Sequence, residues 1–144
     1  MLTRRTADSS RVVSDELKTR GYRLKIFDAY RPQCAVDRFV EWAKDLDDTR
    51  MKEYFYPELE KEVDMGCTYD CFGVASHPDV MPGQEVGAYQ PITQQQYDNR
   101  MILRQAMLAH GFKPYDCEWR HFTLADEPYP DTYFCFPLHS CVLY

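Results

Sequence analysis

A helix pattern that passes without a linker into two short strand patterns constrains this chain most. Thr93 offers a helix N-cap, Ile102, Ala106 and Ala109 fall on one face beside Leu103 and Met107, and Gly111 stops the run. Phe112–Tyr115 and Glu118–Leu124 follow at once as strand-length runs, either as a hairpin or as adjacent strands. Upstream, Ser9 or Ser10 is expected to cap a helix running to about Arg20, with Val13 and Leu17 on its buried face and Gly21 as its stop. Arg23–Phe27 alternates at period two, so Leu24 and Ile26 share a face, and the strand delivers Asp28 and Arg31 at its end. Pro32 then suits the first turn of a helix that buries Val36, Phe39, Val40 and Ala43 and turns Asp37, Arg38, Glu41 and Lys44 to solvent. Tyr54, Phe55 and Tyr56 read as a short helix ended by Pro57, while Pro78, Pro82, Gly83 and Gly87 mark a loop. A Pro- and Tyr-rich tail from Glu127 is expected to pack over the body. Segregated helices and short strands predict an α+β fold: a small antiparallel sheet, built from 23–27 and the two late strands, with helices on one side.

Size and charge narrow the function classes. With 144 residues, 44% of them apolar and 15% aromatic, the chain reads as a single domain over 1–144 with a substantial core. A net charge of -6 and no Lys/Arg cluster exclude a nucleic-acid partner, whose binding rests on neutralising phosphates. No apolar run approaches a membrane span, and Arg4-Arg5 is followed by Thr6-Ala7-Asp8-Ser9-Ser10 where a targeting signal would be apolar. A cytoplasmic location is therefore expected, with Cys34, Cys67, Cys71, Cys117, Cys135 and Cys141 as free thiols.

The chemistry lies in two stretches. Glu118, His121 and the distant Arg31 are the parts of a metallopeptidase: a general base, a metal ligand and a cation for the developing oxyanion. Residues three apart on a regular strand face opposite ways, so Glu118 and His121 converge only across a bulge or tight bend. The plain alternative is structural, with Arg31 paired to Asp28 and Glu118 to Arg120.

Ile26-Phe27-Asp28-Ala29-Tyr30-Arg31-Pro32, Ala35-Val36-Asp37, Val63-Asp64-Met65-Gly66, Glu118-Trp119-Arg120-His121 and Asp126-Glu127-Pro128-Tyr129-Pro130 together resemble the zinc D-alanyl-D-alanine dipeptidases. These are cytoplasmic enzymes of D-Ala-D-Ala turnover and vancomycin resistance. The resemblance covers most of the chain, in order. It implies hydrolysis of a D,D-dipeptide to D-alanine in cell-wall precursor metabolism, with zinc as cofactor. By the same resemblance Glu118 is the general base, Arg31 stabilises the tetrahedral intermediate and His121 is a zinc ligand, while Asp70 matches an acidic position that would hold the substrate ammonium, its plain alternative being a solvated loop carboxylate.

The departures matter as much. The family draws two further zinc ligands from an S-x-H-x-x-G-x-x-x-D segment, and here Tyr56-Pro57-Glu58-Leu59-Glu60-Lys61 runs almost directly into Glu62-Val63-Asp64-Met65-Gly66, so the segment is missing near 60–62. Seven residues after His77, His110 and His121 stand Gln84, Cys117 and Pro128, and His139 lies too near the end. The leading segment is short, and Arg120 replaces the second Trp of E-W-W-H, placing a cation beside the zinc position unless its side chain points away, as adjacent strand residues do. His77, Asp79 and Cys117 are conceivable substitute ligands, and Cys67-x-x-x-Cys71 reads as two ordinary thiols. The expected consequences are weak zinc binding, impaired hydrolysis, an incomplete sheet and self-association through its exposed edge. A non-catalytic decayed copy, or a module binding a small ligand or partner, is the competing reading.

Overall fold

The computed structural model describes residues 2–42, 62–69 and 71–135, which fall into two compact units. One comprises Thr3–Lys25 with Glu62–Pro128, and the other is formed around Ile26–Lys61 and the segment from Tyr129.

In the larger unit the first helix, α1 (Arg4–Thr19), starts earlier than Ser9 or Ser10. Thr3 supplies the N-cap, its hydroxyl accepting from the Thr6 amide at 3.2 Å, and Ser10 is buried inside the helix, donating to the Thr6 carbonyl at 2.8 Å. Thr3 has the same capping chemistry as the serines, and nothing between them breaks a helix, so the earlier cap prevails. The C-terminus follows expectation: Gly21 at φ 82° lets its amide reach Lys18 O and the Tyr22 amide reach Leu17 O, each at 3.0 Å. That pair of bonds is a Schellman motif.

Thr93 caps the long helix α3 (Gln94–Ala109) through a reciprocal capping box with Gln96. The helix leads directly into a hairpin of β1 (Phe112–Tyr115) and β2 (Glu118–Leu124), antiparallel and joined by Asp116 and Cys117. Val13 and Leu17 of α1, Ala106 and Met107 of α3, Phe112 of β1 and Leu124 of β2 form one core, edged by Tyr22, Leu24, Ile102, Leu103 and Phe122. A second cluster, Ala75, Val80, Val86 and Ile92, packs with Tyr97 around the loop that contains a single 3₁₀ turn at Val74–Ser76. His110 and Glu16 link α3 to α1 through Nε2 and Oε2, 2.8 Å apart.

The fold is α+β with a small antiparallel sheet, but the expected strand at 23–27 does not form. A strand needs a hydrogen-bonded neighbour, and among the described residues the sheet has two strands, β1 and β2, neither paired with this segment. Leu24 still packs on the core, whereas Ile26 and Phe27 are exposed.

In the smaller unit α2 (Gln33–Trp42) begins just after Pro32, whose carbonyl accepts from Ala35 and Val36. The Gln33 amide donates to Phe134 O at 3.0 Å, and a disulfide joins Cys34 to Cys135, so the tail is tied to the start of this helix. Ala43 and the short helix expected at Tyr54–Tyr56 lie outside the described residues.

The free-thiol expectation needs correction for four cysteines. Cys34 and Cys135 are bonded across 101 residues with Cα atoms 6.1 Å apart, and Cys67 and Cys71 are bonded with Cα atoms 6.0 Å apart. Tertiary proximity, invisible in linear spacing, brings Cys34 and Cys135 within bridging reach, whereas Cys67 and Cys71 are joined across a local turn of four residues. Cys117 is free and exposed, and Cys141 lies outside the described residues. Among the described residues no helix is long and apolar enough to cross a membrane.

Candidate active site

The hairpin's irregularity creates the site. Pro114 pairs with Phe122 but Tyr115 pairs with Glu118, so one step along β1 spans Trp119, Arg120 and His121 on β2. This is the bulge that the Glu118/His121 spacing requires. Across it His121 Nδ1 lies 3.4 Å from Glu118 Oε2, with the imidazole beside the Tyr115 ring at a centroid distance of 5.1 Å. His121 is about half exposed (54%), while Glu118 is more enclosed at 24%. A carboxylate and an imidazole thus converge on one solvent-reachable point.

Arg120 does not point away from this carboxylate. Its Nη2 lies 3.6 Å from Glu118 Oε1, its Nη1 donates to the Cys71 carbonyl at 3.2 Å, and its guanidinium sits 5.2 Å from the Tyr69 ring centroid. The bulge has abolished strand alternation, so neighbouring side chains need not diverge. The structural pairing of Glu118 with Arg120 is therefore realised beside the Glu118–His121 contact.

Beneath this strand lies a polar scaffold that periodicity did not reveal. Gln96, Asn99 and Arg100 of α3 reach back to Asp64-Met65-Gly66: Gln96 Nε2 donates to Asp64 Oδ2 at 2.9 Å, Asn99 Nδ2 to Asp64 O at 2.8 Å, and Arg100 Nε to Met65 O at 2.7 Å. Arg100 also donates to the Ala75 and His77 carbonyls at 3.0 and 3.2 Å and lies 5.7 Å from the Trp119 ring centroid. It is almost wholly buried, and desolvation pushes its pKa down to about 10, so it stays charged at neutral pH. The available sequence signal was three polar residues at helical spacing on the inward face of α3's first half.

Gly66 is fixed by space as well as by conformation. At φ +85° any side chain is strained, and a Cβ would meet Ile92 Cγ2 at 2.7 Å and Gln96 Oε1 at 3.1 Å. Gly66→Ala is expected to cost about 2 kcal/mol or more, measured as a fall in the urea midpoint at unchanged m. Asp64 is held below the usual carboxylate range by Gln96's hydrogen bond, then by the Gly66 amide at 2.9 Å. Because its folded pKa is depressed, the stability it contributes is present above the unfolded value near 4 and is lost as pH falls through the folded value. Thermal melts between pH 5 and 2 should therefore show a shallower acid-side decline in Asp64→Asn than in the parent.

Arg31 belongs to the smaller unit. Its Nε lies 3.0 Å from Asp28 Oδ2 and its Nη2 bonds the same oxygen, while Asp28 Oδ1 accepts from the Ala29 amide at 2.8 Å. The expected Arg31–Asp28 pairing is thus present. Asp70 lies outside the described residues.

A zinc site needs three protein ligands within about 2.0–2.3 Å of one point. Among the described residues no group of three His, Cys, Asp or Glu side chains converges in that way. His77 contributes its carbonyl to Arg100, Asp79 is exposed, and Cys117 is an exposed thiol in the hairpin turn whose carbonyl accepts from Ser76 Oγ at 2.7 Å. His121 and Glu118 alone do not fit a zinc ion.

Comparison with known proteins gives the ancestry. Residues 56–139 match the sequence profile described as D-Ala-D-Ala dipeptidase. The chain is 34% identical over 139 residues to the D-alanyl-D-alanine dipeptidase of Enterococcus faecalis, covering 81% of this chain and 69% of that one. It is 33% identical over 150 residues to the D-alanyl-D-alanine dipeptidase of Streptomyces coelicolor (82% and 70% covered), and 32% identical over 143 residues to that of Enterococcus faecium (83% and 71%). With identity at this level spread over most of the chain, and the bulged Glu118–His121 strand inside the matched region, the protein belongs to the D-Ala-D-Ala dipeptidase family.

Proposed function

We propose that this chain hydrolyses D-Ala-D-Ala to D-alanine at a rate well below that of family members with a complete set of zinc ligands. The convergence of Glu118 and His121 across the β2 bulge supports a retained base. In this reading Glu118 takes a proton from the attacking water and returns it to the amine as the peptide C–N bond breaks, leaving two D-alanines. Arg31 stabilises the oxyanion that forms on the scissile carbonyl, and Asp70 holds the substrate ammonium. The described residues do not assemble a zinc site, so no step is assigned to metal. Positioned general-base catalysis alone contributes about 10²–10⁴-fold, far short of a metal-assisted hydrolase. By family resemblance the substrate pool is cytoplasmic cell-wall precursor. Release of D-alanine by the purified protein, lost in Glu118→Gln, tests the reading.

The lack of the segment that carries two of the family's three zinc ligands favours a second reading, a binding module without turnover. Calorimetry with D-Ala-D-Ala in a chelator distinguishes them: heat that disappears in Arg31→Ala, without D-alanine release, marks a module holding the ligand carboxylate through that guanidinium. Absence of heat and of turnover would contradict both readings.

We also propose that the protein self-associates, because each strand of a two-stranded sheet has an unpaired edge among the described residues. Sedimentation equilibrium at micromolar concentration should give a mass above 17.1 kDa. A monomer at every concentration would remove this expectation.

A further inference from the structure

The Cys67–Cys71 disulfide lies in an unusual electrostatic setting. Cys67 Sγ faces two donors, Trp119 Nε1 at 3.3 Å and Arg100 Nη2 at 3.6 Å, and one carbonyl oxygen, that of Ala75 at 3.6 Å, which itself accepts from Arg100. Arg100 is buried, and among the described residues no carboxylate pairs with it: its other acceptors are the neutral carbonyls of Met65, Ala75 and His77. A disulfide sulfur is a weak, neutral acceptor, whereas a thiolate is an anion that a guanidinium and an indole N–H stabilise directly. The surroundings therefore suit the reduced form of Cys67 better than the oxidised form shown. Among the described residues the other charged groups nearby are Arg120, on the Tyr69 ring, and Glu118, which Arg120 contacts; Asp70, next to Cys71 in sequence, lies outside them.

We propose that Cys67 and Cys71 form a thiol–disulfide exchange site for small thiols, poised toward reduction because Arg100 and Trp119 stabilise the Cys67 thiolate. Cys67 is partly exposed and Cys71 is buried at 2%, so an incoming thiolate attacks Cys67. A mixed disulfide forms there, the Cys67–Cys71 bond breaks, and Cys71 departs as a thiolate that takes a proton. A second small thiolate attacks the outer sulfur of the mixed disulfide, releasing a small-molecule disulfide and the Cys67 thiolate. Two small thiols are oxidised, one protein disulfide is reduced, one proton goes to Cys71 and one to solvent. The state of this pair bears on the hairpin, because Trp119 contacts Cys67 and the Cys71 carbonyl holds Arg120.

A stabilised reduced form makes a disulfide more oxidising. The full chain is equilibrated in buffers of reduced and oxidised glutathione, quenched with acid, alkylated, and both pairs are quantified by peptide mass. Cys67–Cys71 should be half reduced at a ratio at least tenfold more oxidising than Cys34–Cys135 requires. Trp119→Phe, which keeps an aromatic ring but removes the donor, should move the Cys67–Cys71 midpoint several-fold toward more reducing ratios, and Arg100→Gln further where it folds. Reduction of both pairs at the same ratio, or a Cys67–Cys71 midpoint unmoved in Trp119→Phe, overturns the proposal. The comparison of the two pairs in the parent chain needs no variant.

Discussion

Replacing Arg100 with leucine should destabilise the protein by about 3–5 kcal/mol, the largest single effect expected outside the core. Leucine fills part of the volume but offers no donor, leaving the carbonyls of Met65, Ala75 and His77 without the guanidinium that satisfies them. Each buried carbonyl left unpaired costs about 1–3 kcal/mol, discounted where local shifts admit water. A domain of this size has about 5–15 kcal/mol in hand, so the variant should sit near its unfolding midpoint in mild urea. Gln105→Ala, exposed on the same helix, should move the midpoint by less than about 0.5 kcal/mol. Equal urea curves for Arg100→Leu and the parent would show that the guanidinium network is not what fixes the Asp64-Met65-Gly66 segment.

The second large effect is chemical. Glu118→Gln should lower D-alanine release by about 10²–10⁴-fold, to background, because glutamine keeps the size and the hydrogen-bonding reach but cannot take the water's proton. His121→Ala should cost less than about tenfold, since the imidazole lies against Glu118 at the edge of a surface without a three-ligand metal cluster among the described residues. The two variants therefore separate a base from a ligand. A loss in His121→Ala as deep as in Glu118→Gln would make the imidazole a metal ligand after all. Both should be assayed at fixed pH and fold state, with circular dichroism confirming that the hairpin persists.

The parts of the fold legible in the sequence were those governed by local rules. Thr93 and Gly111 bound the third helix, and Phe112–Tyr115 and Glu118–Leu124 are the strands, because caps, stops and strand propensity act within a few residues. An irregularity at Trp119–His121 could be anticipated from chemistry, since a base and an imidazole three positions apart on a strand meet only across a bulge or a tight bend, and the structure has the bulge. What failed depended on distant partners. The period-two run at 23–27 has the pattern of a strand but, among the described residues, no neighbour to pair with, so its alternation decides nothing. The first helix starts at Arg4 because Thr3 caps as well as Ser9 does, a choice between equivalent caps that pattern alone leaves open. The Cys34–Cys135 disulfide and the role of Arg100 were hidden for the same reason: a cysteine or an arginine in a sequence carries no mark of what the fold sets beside it, whereas Cys67 and Cys71 stood four residues apart in plain view and were read as thiols because that spacing matches no familiar motif.

The family resemblance leads one to expect a zinc hydrolase, while among the described residues no three donors converge on one point, and one measurement addresses that tension most directly. Purified protein is equilibrated with zinc, passed through a desalting column, and its metal content is determined by plasma mass spectrometry alongside the rate of D-alanine release from D-Ala-D-Ala. The account predicts retained zinc well below one per chain and a slow, Glu118-dependent release that added zinc does not raise. One zinc retained per chain, with turnover that a chelator abolishes and zinc restores, would contradict it.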